Sequence, residues 1–235
     1  MEISQIIVLG LILMLTNTVQ AITGFGGGVL ALPFATLIFG VKLTVPVIII
    51  LGLIINLYIL FLSYKHIQFK KLLNMVIFMG AGIPFGILIF DNFSEGTLKT
   101  ILATFIVIVA IRGLYRCFQR NNGDSNKNLS NYVLRGILFL GGCVQGAFGT
   151  GGPLAIVYTT QTIEDKKNFR ATLASLWVTL NSILVFQGFY RGIITINVLK
   201  LVLFSLPFLV VGAVLGNKIH LKMNNKTFME GVYFI

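Results

Sequence analysis

The sequence predicts an all-α polytopic membrane protein, built from two inverted-topology repeats that each contain a short helix behind a glycine-rich break. Three observations carry this. Hydrophobic residues make up 56% of the 235 residues and charged residues only 11%, where a soluble domain carries about 25% charged residues. The mean hydropathy is +0.92, and the apolar runs are continuous rather than alternating, which points to helices and away from a β-barrel. Lastly, the chain matches itself at an offset of 125 residues. Such a chain cannot cover a water-facing surface, so a soluble enzyme and a disordered chain are excluded. The net charge of +11 does not mark a nucleic-acid binder, because the basic residues lie in short loops between apolar runs.

The repeat sets the elements. At that offset Val19-Gln20 falls on Val144-Gln145, and Gly24, Gly26 and Gly27 fall on Gly149, Gly151 and Gly152. Lys42 meets Lys167, Leu51 meets Leu176, Asn56 meets Asn181 and Phe61 meets Phe186. The Gln and Asn matches weigh most, since polar residues are rare inside apolar segments. The first repeat, 1–115, has apolar segments at 3–22, 28–40, 44–63, 72–90 and 98–115. The second, 132–235, has them at 132–148, 153–163, 171–190, 196–216 and from 227 onward. For the fourth pair the offset becomes 130, placing Gly82 and Gly86 on Gly212 and Gly216, and Thr97-Leu98 on Thr227-Phe228.

Each element has its own justification. The start, Met1-Glu2-Ile3-Ser4-Gln5, has no Lys or Arg and so lacks the basic region of a signal peptide; the first segment is kept as a helix of the mature chain. The segments 28–40 and 153–163 hold about 13 and 11 residues, or ~15–20 Å of helix, short of the ~30 Å hydrocarbon core. They are expected as half-helices or re-entrant pieces. Pro153 suits a helix start. Pro84 and Pro207 are expected to kink their helices, and the Gly-x-x-x-Gly pairs beside them to pack closely. The linker 116–131 is polar and Asn-rich, with Arg116, Arg120 and Lys127, and its Asn128-Leu129-Ser130 sequon reads as chance. The last segment stops at Ile235, about ten residues short of its counterpart, so the last helix is expected to be truncated. Cys117 and Cys143 are expected as free thiols, and His66 and His220 are too far apart to seat a metal. No cofactor, metal or catalytic constellation is expected, and the chain is not read as an enzyme.

Loop charges set the topology. Lys65, His66, Lys70 and Lys71 mark one cytoplasmic loop; Lys218, His220, Lys222 and Lys226 mark another; Arg112, Arg116, Arg120 and Lys127 place the linker inside. Asp91 and Glu95 mark an outside loop. Counting back, the first repeat enters from outside, with an outside N-terminus, and the second enters from the cytoplasm. The loop 164–170 then lies inside, and Arg191 lies outside against the rule. Repeats inserted in opposite senses are characteristic of secondary transporters.

The duplicated clusters Thr23-Gly24-Phe25-Gly26-Gly27-Gly28 and Phe148-Gly149-Thr150-Gly151-Gly152-Pro153 carry the chemistry. Short, Gly-interrupted segments at matching positions in two halves point to a binding site. Glycine lets the backbone turn and approach a ligand. The first N–H groups of the next helix lack helical partners and sit at its positive end, which suits an anion. The candidate substrate-binding residues are Gln20, Thr23, Gly24, Gly26, Gly27 and Gly28 with Asn56, and Gln145, Gly149, Thr150, Gly151 and Gly152 with Asn181. For the two asparagines, a ligand contact and an interhelical hydrogen bond stand equal. No Asp or Glu lies deep in an apolar segment, which disfavours a proton relay or a cation site.

At Gly24-Phe25-Gly26-Gly27-Gly28 with Pro33, and at Gly146-Ala147-Phe148-Gly149-Thr150-Gly151-Gly152-Pro153, the sequence resembles the TauE/SafE sulfite exporter family. The resemblance implies a bacterial inner-membrane permease exporting sulfite or a related sulfur-containing or organosulfonate anion. Its partners would be that anion and the lipid bilayer, not nucleic acid, and a homo-oligomer stays open. An anion channel and a non-transporting assembly or sensor subunit are the alternatives.

Overall fold

The computed structural model describes residues 3–121 and 129–234. The described residues are almost all helical. The helices are α1 (Ile3–Thr23), α2 (Gly27–Phe39), α3 (Val41–Ser63), α4 (Phe69–Asn92), α5 (Glu95–Asn121), α6 (Asn131–Phe148), α7 (Gly152–Thr162), α8 (Lys166–Tyr190), α9 (Ile196–Lys222) and α10 (Asn225–Phe234). A 3₁₀ turn, Tyr64–His66, follows α3. Each expected segment is thus a helix. Several run further than the apolar pattern: α5 continues to Asn121, into the expected linker, α8 takes in Lys166 to Arg170, and α9 runs on to Lys222. Hydropathy marks where a helix meets lipid; the helix itself ends where its backbone finds a cap. Asp165 Oδ1 starts α8 by accepting from the N–H groups of Lys167 and Asn168 at 3.0 and 2.9 Å. Among the linker positions, Asn122 to Asn128 lie outside the described residues, as do the sequon's Asn128 and the side chains of Arg116, Cys117, Arg120 and Lys127.

Among the described residues, six helices are long and apolar enough to cross a membrane: α1, α3, α4, α5, α8 and α9. α2 has 13 residues and α7 has 11, as expected of half-helices. Large apolar side chains cover the outside; Leu37 and Phe61 are each 80% exposed. Phe186, which matches Phe61 in the repeat, is exposed as well. A lipid surface accepts such an exterior and water does not.

The packing follows the repeat. The most extensive helix pairs are α4 with α6 and α1 with α9, and α3 lies along α8. Since α1 and α6 match, and α4 and α9 match, each half lends its first helix to the fourth helix of the other. The glycine pairs make this close approach. A methyl group on Gly82 or Gly86 would run into the α6 backbone at Phe139 to Ala147, and one on Gly212 or Gly216 into the α1 backbone at Met14 and Thr18. Met14 and Phe139 are repeat-related, as are Thr18 and Cys143. This is the small-residue packing expected. Pro84 and Pro207 both lie inside their helices.

The capping is also repeated. The Glu95 carboxylate, at the start of α5, accepts from the N–H groups of Val41 and Lys42 at the start of α3. In the second half Asn225, at the start of α10, accepts from the N–H of Lys166 at the start of α8 (2.8 Å). Arg191, expected outside against the charge rule, pairs with Asp91. His220 departs from its expected place in a loop: it sits buried in the last turn of α9, with Nδ1 2.8 Å from the Ile22 carbonyl oxygen.

Candidate anion site

The two glycine clusters are built alike. α1 ends at Thr23 and α6 at Phe148. In each, the N–H of the next glycine reaches back to a glutamine carbonyl: Gly24 to Gln20 at 2.7 Å, and Gly149 to Gln145 at 2.8 Å. Gly24 and Gly149 then take φ of +85° and +67°, and Gly26, ahead of α2, takes +93°. These are left-handed conformations in which an L side chain costs about 1–2 kcal/mol. That requirement explains glycine at three of the positions the sequence singles out.

The glutamines bridge the breaks. Gln20 Oε1 accepts from the Gly27 N–H (2.9 Å) and Gln145 Oε1 from the Gly151 N–H (2.7 Å). So the residue four before the first glycine caps the helix that follows. The halves then differ. Gln145 Nε2 donates to Asn181 Oδ1 at 2.7 Å, an interhelical bond. Asn56 instead donates Nδ2 to the Gly52 carbonyl of its own helix at 2.6 Å. Its Oδ1 is buried without a partner. Thr150 Oγ1 is buried without a partner too.

A cavity of about 40 Å³ lies where the breaks meet, large enough for a few waters or one small ion. Gln20, Gly26, Gly27, Gly28 and Asn56 line it from the first half, and Gln145, Gly149, Thr150, Gly152 and Asn181 from the second. Thr23, Gly24 and Gly151 are not on its wall. Thr23 Oγ1 donates to the carbonyls of Val19 and Phe25 and holds the turn. Gly24 gives its carbonyl oxygen to Trp177 Nε1 at 2.9 Å. Gly151 packs against α6 and α4, where an added methyl would meet the Gly141 carbonyl and Gln145 of α6 and Met79 of α4.

The lining holds no charged side chain. The starts of α2 and α7 stand close together: a methyl built on Gly28 would lie 3.6 Å from the Gly149 carbonyl oxygen and 4.0 Å from Thr150 Cβ. The i→i−4 bonds begin only with Leu30 N to Gly26 O and Ala155 N to Gly151 O. The amides of Gly28, Val29, Gly152 and Leu154 precede them and have no helical carbonyl to use. Each helix start carries roughly half a positive charge. Two such ends beside one cavity repel, and an anion between them relieves that.

Sequence reasoning missed Phe25, Trp177 and Asn17, which also line the cavity, and the buried Arg170, which packs against Gly24. Trp177 and Arg170 precede Asn181 by four and eleven residues, a helical spacing that puts all three on one face of α8.

The helices define an all-α polytopic membrane protein whose polar centre lies at two helix breaks. Within that class the chain belongs to the family described as Sulfite exporter TauE/SafE, whose model matches residues 9–235. Comparison with curated proteins and with solved structures gave no match.

Proposed function

We propose that the chain is a secondary permease for a small anion, sulfite or a related sulfur oxyanion, bound between the starts of α2 and α7. The observation that carries this is the pair of helix N-termini converging on a cavity with no charged lining. A site so made attracts negative charge through backbone dipoles alone. Its lining has no carboxylate to compete with an anion. Family membership supports sulfite as the first candidate.

The mechanism exploits the repeat. The anion exchanges its water shell for the amides of Gly28, Val29 and Gly152, with the Thr150 hydroxyl as a further donor. One half, with Gln145 bonded to Asn181, is closed at this point; the other, with Asn56 Oδ1 unbonded, is not. The opposite state would form a Gln20–Asn56 bond and release Asn181. In this reading the repeats lie inverted in a bacterial inner membrane, with the N-terminus outside, and exchanging the two states moves the site between sides.

Sulfite efflux from liposomes containing only this protein tests the reading. The expected result is saturable flux with counter-flow, inhibited by thiosulfate and sulfonates more than by chloride. Flux that does not saturate would identify a channel. Folded protein that passes no anion would overturn transport and favour an assembly subunit.

A further inference from the structure

We propose that Arg170, with Asn217, forms a second anion station one layer to the cytoplasmic side of the cavity, behind the Trp177–Gly24 hydrogen bond. The cytoplasmic assignment rests on the topology just proposed; the station itself does not.

Arg170 is the fifth residue of α8 and is 3% exposed. Its Nη2 donates to Asn217 Oδ1 of α9 at 3.0 Å, and its Nε is buried without an acceptor. Neither the Lys99–Glu95 nor the Arg191–Asp91 ion pair reaches it. The carboxylate nearest in sequence, Asp165, is engaged on the amides of Lys167 and Asn168. The ionisable neighbours of Arg170 are Tyr58 of α3, whose hydroxyl can accept, and His220. Lys166 Nζ donates to the carbonyls of His220 and Met223, and His220 stands three residues beyond Asn217 in α9. A guanidinium taken out of water without a counter-charge costs more than one neutral amide returns. Ionisable groups kept inside a membrane protein under these terms mark ion paths.

The placement completes a path. Arg170, Trp177 and Asn181 share one face of α8, and the last two line the cavity. Seven residues of helix put Arg170 about 10 Å from Trp177 along the axis. Gly24 separates the two stations: it receives Trp177 Nε1 on its carbonyl, while Arg170 Cγ lies 3.4 Å from where its side chain would begin. The repeat does not duplicate this feature, since the residue matching Arg170 is Val45. One end of the path therefore carries a cation and the other does not. The planar N–H fork of Arg suits an oxyanion better than a halide, so the ligand class is a small sulfur oxyanion, collected from the cytoplasm before it enters the cavity.

Trp177 is the chain's single tryptophan, so its emission reports on both stations without any need for transport. Purified protein in detergent is titrated with sulfite, sulfate and chloride at constant ionic strength, with equilibrium dialysis of labelled sulfite alongside. The expected result is saturable oxyanion binding whose midpoint rises at least tenfold in Arg170→Gln and recovers only in part in Arg170→Lys, which restores the charge without the planar fork. Asn217→Asp is the second variant. It supplies an internal carboxylate, and should abolish binding at this station while thermal stability holds or rises. A wild-type midpoint in folded Arg170→Gln or Asn217→Asp, or no oxyanion binding by the wild type in either assay, would overturn the station; Arg170 would then only anchor α9 to α8. Absence of sulfite flux in liposomes would count against the permease reading alone, because these titrations do not involve transport.

Discussion

At the scale of single residues, the best probe of the site is a glycine whose backbone does not need to be glycine. Gly24, Gly26 and Gly149 have positive φ, so any substitution there strains the turn and reports on folding as well as on binding. Gly151→Ala would press into α6. Gly28 differs: its φ is negative, and a methyl there lies 3.1 Å from Ile48 Cγ2, which needs only a small shift. Gly152→Ala meets Phe25 and Val29 at 3.8 Å, an ordinary contact. Both additions take space from a cavity of about 40 Å³. Gly28→Ala and Gly152→Ala should therefore fold normally, and each should lower sulfite flux at least tenfold in reconstituted liposomes. Wild-type flux from either would place the anion elsewhere. Asn56→Ala tests the asymmetry between the halves. It removes an unbonded acceptor and the partner that Gln20 would need in the opposite state, so turnover should fall while the melting temperature changes little.

At the scale of elements, the glycine-mediated helix pairs should set stability. In Gly86→Ala the added methyl meets the α6 backbone around Cys143 to Ala147, and in Gly216→Ala it meets α1 at Thr18 and Ala21. Overpacking of this kind costs about 1–3 kcal/mol. Gly80, on the same helix as Gly86, has nothing within 4 Å; Gly80→Ala should be neutral or stabilise by up to about 1 kcal/mol through helix propensity. Thermal melting in detergent separates the three, and a Gly80→Ala loss equal to that of Gly86→Ala would reject the packing argument. These pairs were legible in the sequence because period four and small size are visible there. The half-helices were legible for the same reason, as short runs bounded by glycine. What was not legible depends on distant partners. Nothing local says that Gln145 Oε1 turns to the Gly151 amide and its Nε2 to Asn181, or that Thr23 spends its hydroxyl on its own turn. Arg170 looked like one more basic residue of the loop 164–170, because its burial comes from α1 and α9, well over a hundred and some forty residues away.

At the scale of the whole molecule, the claim with most at stake is that the two halves lie inverted in the membrane. The contacts are reciprocal: α1 on α9, α6 on α4, and the starts of α3 and α8 capped by Glu95 and Asn225. That reciprocity fits two units related by a twofold exchange, and the loop charges fit an axis in the membrane plane. Ser94 and Asn224 give a direct test. They occupy matching positions, each exposed and each capping its own helix start through the N–H three residues on, Thr97 and Thr227. In a chain with Cys117 and Cys143 changed to Ser, a cysteine at 94 should react with a membrane-impermeant maleimide added outside intact cells. A cysteine at 224 should react only after the membrane is permeabilised. Labelling of both from the same side would mean parallel repeats. The exchange of states between Gln20–Asn56 and Gln145–Asn181 would then lose its symmetry, and the cation at Arg170 could no longer be assigned to the cytoplasmic mouth from charge counting in the loops.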